Sequence, residues 1–136
     1  MQSRVYGDLH YPDSIRFLRL HGSDDFESPI HCSLELARLY DPCLPLFEAV
    51  SYTWADLNGD DTLSDRVYLD SDHRILPATR NCVAALRRFR TAQDRLLWVD
   101  AICINQVDLA ERATQVGLMR EIYSFAGRVI VYLGEE

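Results

Sequence analysis

The chain has 136 residues, of which 48% are hydrophobic and 26% carry a charge, which is the composition of one globular domain. Its formal net charge of −7 argues against binding to nucleic acid, because proteins that bind the phosphate backbone present a basic face. No apolar run approaches the ~20 residues of a membrane helix, and the N-terminal stretch MQSRVYGDLHYPDS lacks the apolar core of a signal peptide. We therefore expect a cytoplasmic protein without a membrane segment.

The first half of the chain predicts strands. IRFLRL at 15–20 and IHCSLEL at 30–36 read as strands, and in the second one apolar and polar residues alternate. Turn-forming residues fill the stretch between them, so we expect a hairpin with a loose connection. FEAVSYTWA at 47–55 is a third strand, and RVYLDSDHRIL at 66–76 predicts a second, smaller hairpin.

Two helices follow. Pro77 and Thr79 open the first over 79–90, where Val83, Leu86 and Phe89 recur at helical spacing. The arginines of this segment lie mostly off that stripe, which indicates a solvated face rather than a ligand site. The second helix is predicted over 108–126.

The second helix has a defined start and an apolar stripe. Asp108 and Glu111 have the spacing of a capping box, and Gly127 favours the end of a helix. Apolar residues keep a spacing of three and four, at Leu109, Ala113, Val116, Met119, Tyr123 and Ala126. We therefore expect Val116 to be buried, so that Val116→Asp would prevent folding. RVIVYLG at 128–134 is the last strand.

LLWVDAICI at 96–104 predicts a central strand, buried on both faces from Trp98 to Ile104. Because strand, helix and strand follow one another in the second half, parallel pairing is favoured. We predict an α/β fold, in which one mostly parallel sheet is flanked by helices and carries an N-terminal antiparallel β-extension.

Asp100 interrupts the central apolar run. A buried carboxylate costs several kcal/mol unless it is paired or hydrogen-bonded, so a partner is expected. Either Asp100 is a structural acid that accepts backbone N–H groups or pairs with Arg112, or it lines a ligand crevice. The two roles are compatible.

Polar residues follow at the carboxyl end of this strand, where ligands bind in parallel α/β sheets. Asn105 and Gln106 either satisfy loose backbone groups or hydrogen-bond a nucleotide. Glu111 is either the capping partner or a pocket carboxylate, and Arg112 either reaches Asp108 or points into the cleft. The helix start favours an anionic ligand such as a pyrophosphate, and the amides suit a nucleotide better than a metal.

Aromatic residues and cysteines are the remaining candidates. Tyr52 and Trp54 share one face of a strand, as core packing or as an aromatic wall close to the polar cluster. The cysteines show no Cys-x-x-Cys pair, so we expect free thiols and no metal site. Cys103 sits in an apolar run without a nearby histidine, which disfavours a thiol nucleophile.

Three stretches together resemble the fungal heterokaryon incompatibility (HET) domain. They are FEAVSYTWAD at 47–56, LPATRNCVAALRRFR at 76–90 and the long segment from LLWVDAICINQ to the last residue at 96–136. Ala55 departs from the family's usual glycine, and Tyr132 stands where tryptophan is frequent. The resemblance assigns 1–14 to an N-terminal tail and 15–136 to a HET domain that is truncated at its C-terminal side.

The resemblance implies a signalling module that acts in non-self recognition and programmed cell death, through protein partners or self-association. HET domains are also likened to TIR domains, which implies a TIR/flavodoxin-like fold and NAD as a substrate or ligand. The catalytic acid of such an enzyme falls beyond Glu136. The alternatives are therefore a NAD-cleaving enzyme, a NAD glycohydrolase, or an inert truncated scaffold.

Overall fold

A computed structural model describes residues 6–52, 59, 61–70 and 74–133 of the chain. Within these residues one seven-stranded sheet is accompanied by three helices. The strands are β1 (Ser14–Leu20), β2 (His31–Arg38), β3 (Glu48–Tyr52), β4 (Asp65–Leu69), β5 (Arg74–Ala78), β6 (Arg95–Val99) and β7 (Arg128–Tyr132). The helices are α1 (Arg80–Phe89), α2 (Asp100–Cys103) and α3 (Leu109–Phe125). The α/β class is confirmed.

The sheet is mixed, so the prediction of a mostly parallel sheet is wrong. Its strand order is β5-β4-β2-β1-β6-β3-β7. Antiparallel pairs join β1 to β2, β1 to β6 and β4 to β5, while β2–β4, β3–β6 and β3–β7 are parallel. The reason is that the N-terminal hairpin inserts β1 directly beside β6, instead of extending one end of a parallel sheet.

Both predicted hairpins are confirmed. β1 and β2 pair from Ser14 opposite Arg38 to Leu20 opposite Cys32, and β4 and β5 pair over their full length. The third strand is also present as β3, but the part of its predicted range from 53 onward lies outside the described residues.

Three parallel strands, β6, β3 and β7, carry the second half of the fold. Glu48 on the middle strand accepts hydrogen bonds from Arg95 Nε at 3.0 Å and from Arg128 Nε at 2.8 Å. Burial raises the pKa of Glu48, but the two guanidinium groups lower it further, so the net shift is downward. One carboxylate therefore ties all three strands together at their amino ends.

The strand before the candidate site is shorter than predicted. Leu97, Trp98 and Val99 are completely buried in the middle of the sheet, as expected, but the strand ends there. Asp100 begins the short helix α2, and the Cys103 thiol accepts a hydrogen bond from Val99 N at 3.4 Å. A short buried helix and a buried strand have the same apolar pattern, which explains the error.

The bounds of both long helices are confirmed. Thr79 caps α1 by accepting from Cys82 N, and Val83, Leu86 and Phe89 are buried. Asp108 caps α3, which continues unbroken to Phe125.

The predicted buried stripe of α3 is wrong. Val116 and Leu109 have exposed fractions of 54% and 74%, whereas Gln115 and Ile122 are fully buried. Gln115 Nε2 donates to Ser14 O at 2.8 Å, so a buried amide fixes which side of the helix faces the sheet. Apolar residues occur on both sides of α3, and spacing alone does not identify the packed side.

α1 and α3 lie on opposite faces of the sheet. Trp98 contacts Tyr123 of α3 edge to face, and Phe89 of α1 contacts Tyr132 of β7 in the same way. The registers place Trp98 and Val129 on one face and Tyr132 on the other. Among the described helices, each is too short or too polar to cross a membrane.

Candidate functional site

The carboxyl end of β6 leads into a cavity of about 240 Å³, which we call the amide pocket. One wall consists of 76–79, from β5 to the cap of α1, and the other of 101–102 and 105–107, from α2 and the loop after it. Tyr6 and Leu63 complete the lining. None of the described residues that line it carries a charge, so the pocket offers apolar surface, a hydroxyl or two and the two amides.

The two predicted amides have different positions. Gln106 Nε2 donates to Asp100 O at 2.8 Å, so this side chain ties the loop back to the start of α2. Asn105 is held through its backbone, because its N–H donates to Glu111 Oε2 at 2.6 Å. Gln106 therefore supports the wall of the amide pocket, while the Asn105 carboxamide is the group that this wall presents.

Glu111 is bound to a buried arginine that the sequence did not single out. Arg16 Nη1 and Nη2 donate to the two carboxylate oxygens at 2.6 and 2.9 Å, and the side chains of Arg16 and Glu111 are only 2% and 9% exposed. Asp108 accepts from Glu111 N at 3.1 Å, but the Glu111 carboxylate turns to Arg16 and Asn105 N. Half of the predicted capping box is present.

The Arg16 guanidinium also anchors the backbone around the site. It donates to Cys103 O at 3.2 Å and to Gly7 O at 2.6 Å, and it lies 4.8 Å from the centre of the Tyr6 ring. The Tyr6 hydroxyl in turn donates to Ile102 O at 2.7 Å. A signal was present in the sequence, since Arg16 alternates with Leu18 and therefore occupies a buried position on the strand.

Asp100 lies beside a second buried cluster. It is half-buried at the start of α2, close to the Tyr52 phenol and the Cys82 thiol. Burial first, and the Asp100 charge in addition, raise the pKa of Tyr52 well above its ordinary value and that of Cys82 to about 12. Near neutral pH these groups are protonated, so the Asp100 carboxylate is the charged group at the carboxyl ends of β3 and β6.

The remaining predicted residues differ in position. Burial raises the pKa of Cys103 to about 12, which agrees with the view that this thiol is not a nucleophile. Arg112 is exposed on α3, where its N–H donates to Asp108 O at 2.9 Å, and it does not line the amide pocket. Trp54 lies outside the described residues.

A second, wider cavity of about 620 Å³ lies between 8–12 and the first turns of α3. Glu111 and Asp108 line it together with Asp8 and His10. The structure thus brings Asp100, Asn105 and Gln106 together around α2, with Tyr52 close to Asp100, and places Glu111 on the opposite side of the loop.

Comparison with known proteins identifies one family. Residues 47–136 match the family described as heterokaryon incompatibility protein (HET). The chain is 34% identical over 128 residues to heterokaryon incompatibility protein 6, OR allele, of Neurospora crassa. This match covers 88% of the chain and 18% of the relative, so the chain spans about a fifth of the length of that protein. No solved structure matches the chain.

Proposed function

Since the chain belongs to the heterokaryon incompatibility (HET) family, we propose that it is the signalling domain of a fungal incompatibility protein. In this role it acts in the cytoplasm, responds to non-self recognition and drives programmed cell death. The observation that carries the proposal is the family match from residue 47 to 136. That span includes β3, both long helices and the whole loop with Asn105 and Gln106.

The amide pocket is the surface that we assign to signalling. Leu63 and Val107 line it and are still 63% and 70% exposed, so apolar surface continues from the cavity onto the exterior. Exposed apolar groups around a cavity are typical of sites that bind another molecule, and the uncharged lining suits an apolar group of a protein partner. Self-association through the same surface is the other arrangement that it supports.

The test is cell death in a fungal host that expresses the native gene from an inducible promoter. Asn105→Ala removes the amide that faces the pocket, and Ala101→Leu fills the pocket from α2. Both variants should abolish cell death while protein abundance and the melting temperature stay unchanged. Gln93→Ala removes an exposed amide outside the pocket and is the matched control.

Persistent cell death in both pocket variants would refute the assignment of the pocket. If the unmodified protein causes no death at all, the inert scaffold is the correct description. Gln106→Ala is less informative, because this side chain supports the loop and its loss perturbs the fold.

A second candidate is a TIR/flavodoxin-like enzyme that cleaves NAD. It is favoured by the three parallel strands β6, β3 and β7 with helices on both faces, since such sheets bind nucleotides beyond the carboxyl ends of their strands. Against it, the amide pocket has no cationic lining and is smaller than the ~300–1,000 Å³ of most ligand sites. Incubation of the native gene product with NAD, followed by chromatography for released nicotinamide, separates the two candidates.

A further inference from the structure

The shortest described strand pairing joins the β4–β5 hairpin to the rest of the sheet. β2 and β4 share only two register pairs, His31 with Tyr68 and Cys32 with Leu69. Two backbone hydrogen bonds cross this junction, Tyr68 N to Ile30 O at 2.8 Å and Asp70 N to Cys32 O at 2.9 Å. The hairpin therefore depends on side chains for much of its attachment.

Those side chains are His21, Asp70 and His31, which we call the histidine clamp. Asp70 follows β4, and its two carboxylate oxygens lie 2.9 Å from His21 Nδ1 and 2.7 Å from His31 Nδ1. The His31 ring also stacks on Tyr68, with ring centres 5.0 Å apart. One carboxylate of the hairpin thus contacts the end of β1 and the start of β2 together.

The clamp keeps its hydrogen bonds in both protonation states of the histidines. An ionised carboxylate only accepts, so both Nδ1 atoms carry protons. His21 Nε2 lies 3.2 Å from Ser33 Oγ, and the hydroxyl donates to the neutral ring and accepts from the protonated one. Protonation therefore adds charge attraction to Asp70 without breaking a bond.

The order Ser33, His21, Asp70 is also that of a hydrolase triad. Ser33 lies on a strand face outside the cavities described above, so there is no cleft to hold a substrate against it. We do not assign hydrolysis to this group.

The surroundings of the clamp are largely neutralised. On the same side of the sheet, Arg19 and Glu35 pair with each other across β1 and β2. Asp94 accepts from Gly22 N at 2.9 Å, and Tyr68 is held under the His31 ring. The two histidines are thus the groups near Asp70 whose charge changes between pH 5 and 8.

Asp70 itself stays ionised over this range. Burial raises its pKa, but the hydrogen bonds from His31 and His21 outweigh burial and hold the pKa below its ordinary value. The side chains of His21, Asp70 and His31 are 29%, 41% and 48% exposed, so protons reach them from solvent.

We propose that the histidine clamp is a proton-operated fastening, which holds the β4–β5 hairpin more tightly as the pH falls from about 8 to about 5.5. The sign follows from the pairing. Protonated histidine attracts Asp70 only in the folded state, so the added stability is present below about pH 6.5 and disappears as the pH rises. The hairpin carries Leu76 to Ala78 into one wall of the amide pocket, so pH changes how firmly this wall is held. This last consequence rests on the proposed function, whereas the fastening does not.

Hydrogen exchange at the amides of Tyr68 and Asp70 tests the proposal. After correction for intrinsic rates, the opening constant of these amides should rise about three- to tenfold from pH 5.5 to 8. The dependence should weaken in 1 M salt, which screens partly exposed pairs. Amides within the β1–β2 ladder are the internal reference.

Asp70→Asn keeps the shape of the side chain but removes its charge, and should make the opening constant independent of pH. His31→Gln should halve the effect and serves if the asparagine variant folds poorly, while His10→Gln replaces an exposed histidine outside the clamp and should change nothing. An unchanged pH profile in Asp70→Asn, or a flat profile in the wild type, overturns the proposal. Because the experiment measures only the junction, its outcome is independent of the cell-death assay.

Discussion

Glu111→Ala should destabilise the fold far more than the loss of a helix-capping residue. The substitution removes the carboxylate that receives two hydrogen bonds from Arg16 and one from Asn105 N. Arg16, 2% exposed, keeps Gly7 O and Cys103 O but loses its counter-charge. Breaking a buried ion pair in this way costs about 3–5 kcal/mol, which is a large part of a total stability of ~5–15 kcal/mol.

Urea unfolding followed by the fluorescence of buried Trp98 measures this loss. Glu35→Ala is the matched control, because its partner Arg19 is partly exposed, and it should cost at most about 1 kcal/mol. The double variant Arg16→Met with Glu111→Leu should recover much of the loss, since no charge is then left buried. A cost of Glu111→Ala within ~1 kcal/mol would show that Glu111 is only a helix-start residue and would refute the reasoning.

Three further outcomes are expected. Val116→Asp should change the unfolding free energy by less than ~0.5 kcal/mol in urea titrations, because the side chain faces solvent, whereas Ile122→Asp should prevent folding; the reverse result would show that α3 packs through its other side. Thr79→Ala should cost ~1 kcal/mol in the same assay through loss of the α1 cap, and no loss would mean that the cap bond to Cys82 N is dispensable. At pH 8 iodoacetamide should modify exposed Cys43 in the native protein, as measured by mass spectrometry, and spare the buried thiols, of which Cys82 and Cys103 have pKa values raised to about 12; rapid labelling of these would contradict their burial.

Local patterns predicted the elements well. Alternation identified β1 and β2, the spacing of Val83, Leu86 and Phe89 identified the buried side of α1, and Asp108 marked the start of α3. Each of these features depends on residues close together in the sequence. The two amides were also identified correctly as neighbours of the carboxyl end of β6.

The errors involve contacts between distant parts of the chain. The packed side of α3 is decided by Gln115 and its bond to Ser14, and the direction of the Glu111 side chain by Arg16. Both partners belong to β1, almost a hundred residues earlier. The histidine clamp joins residues of three strands in the same way, so local spacing carried no indication of it.

The position of β6 between β1 and β3 has a consequence for synthesis of the chain. β6 meets its neighbours through pairs such as Leu18 with Leu97 and Ala49 with Trp98, so both neighbours emerge long before β6 does. At the ~5–20 residues per second of translation, the edge of β1 that receives β6 waits about 4–16 s. Open apolar strand edges are where nascent chains associate wrongly, so we expect this interval to be the one in which a chaperone is most needed.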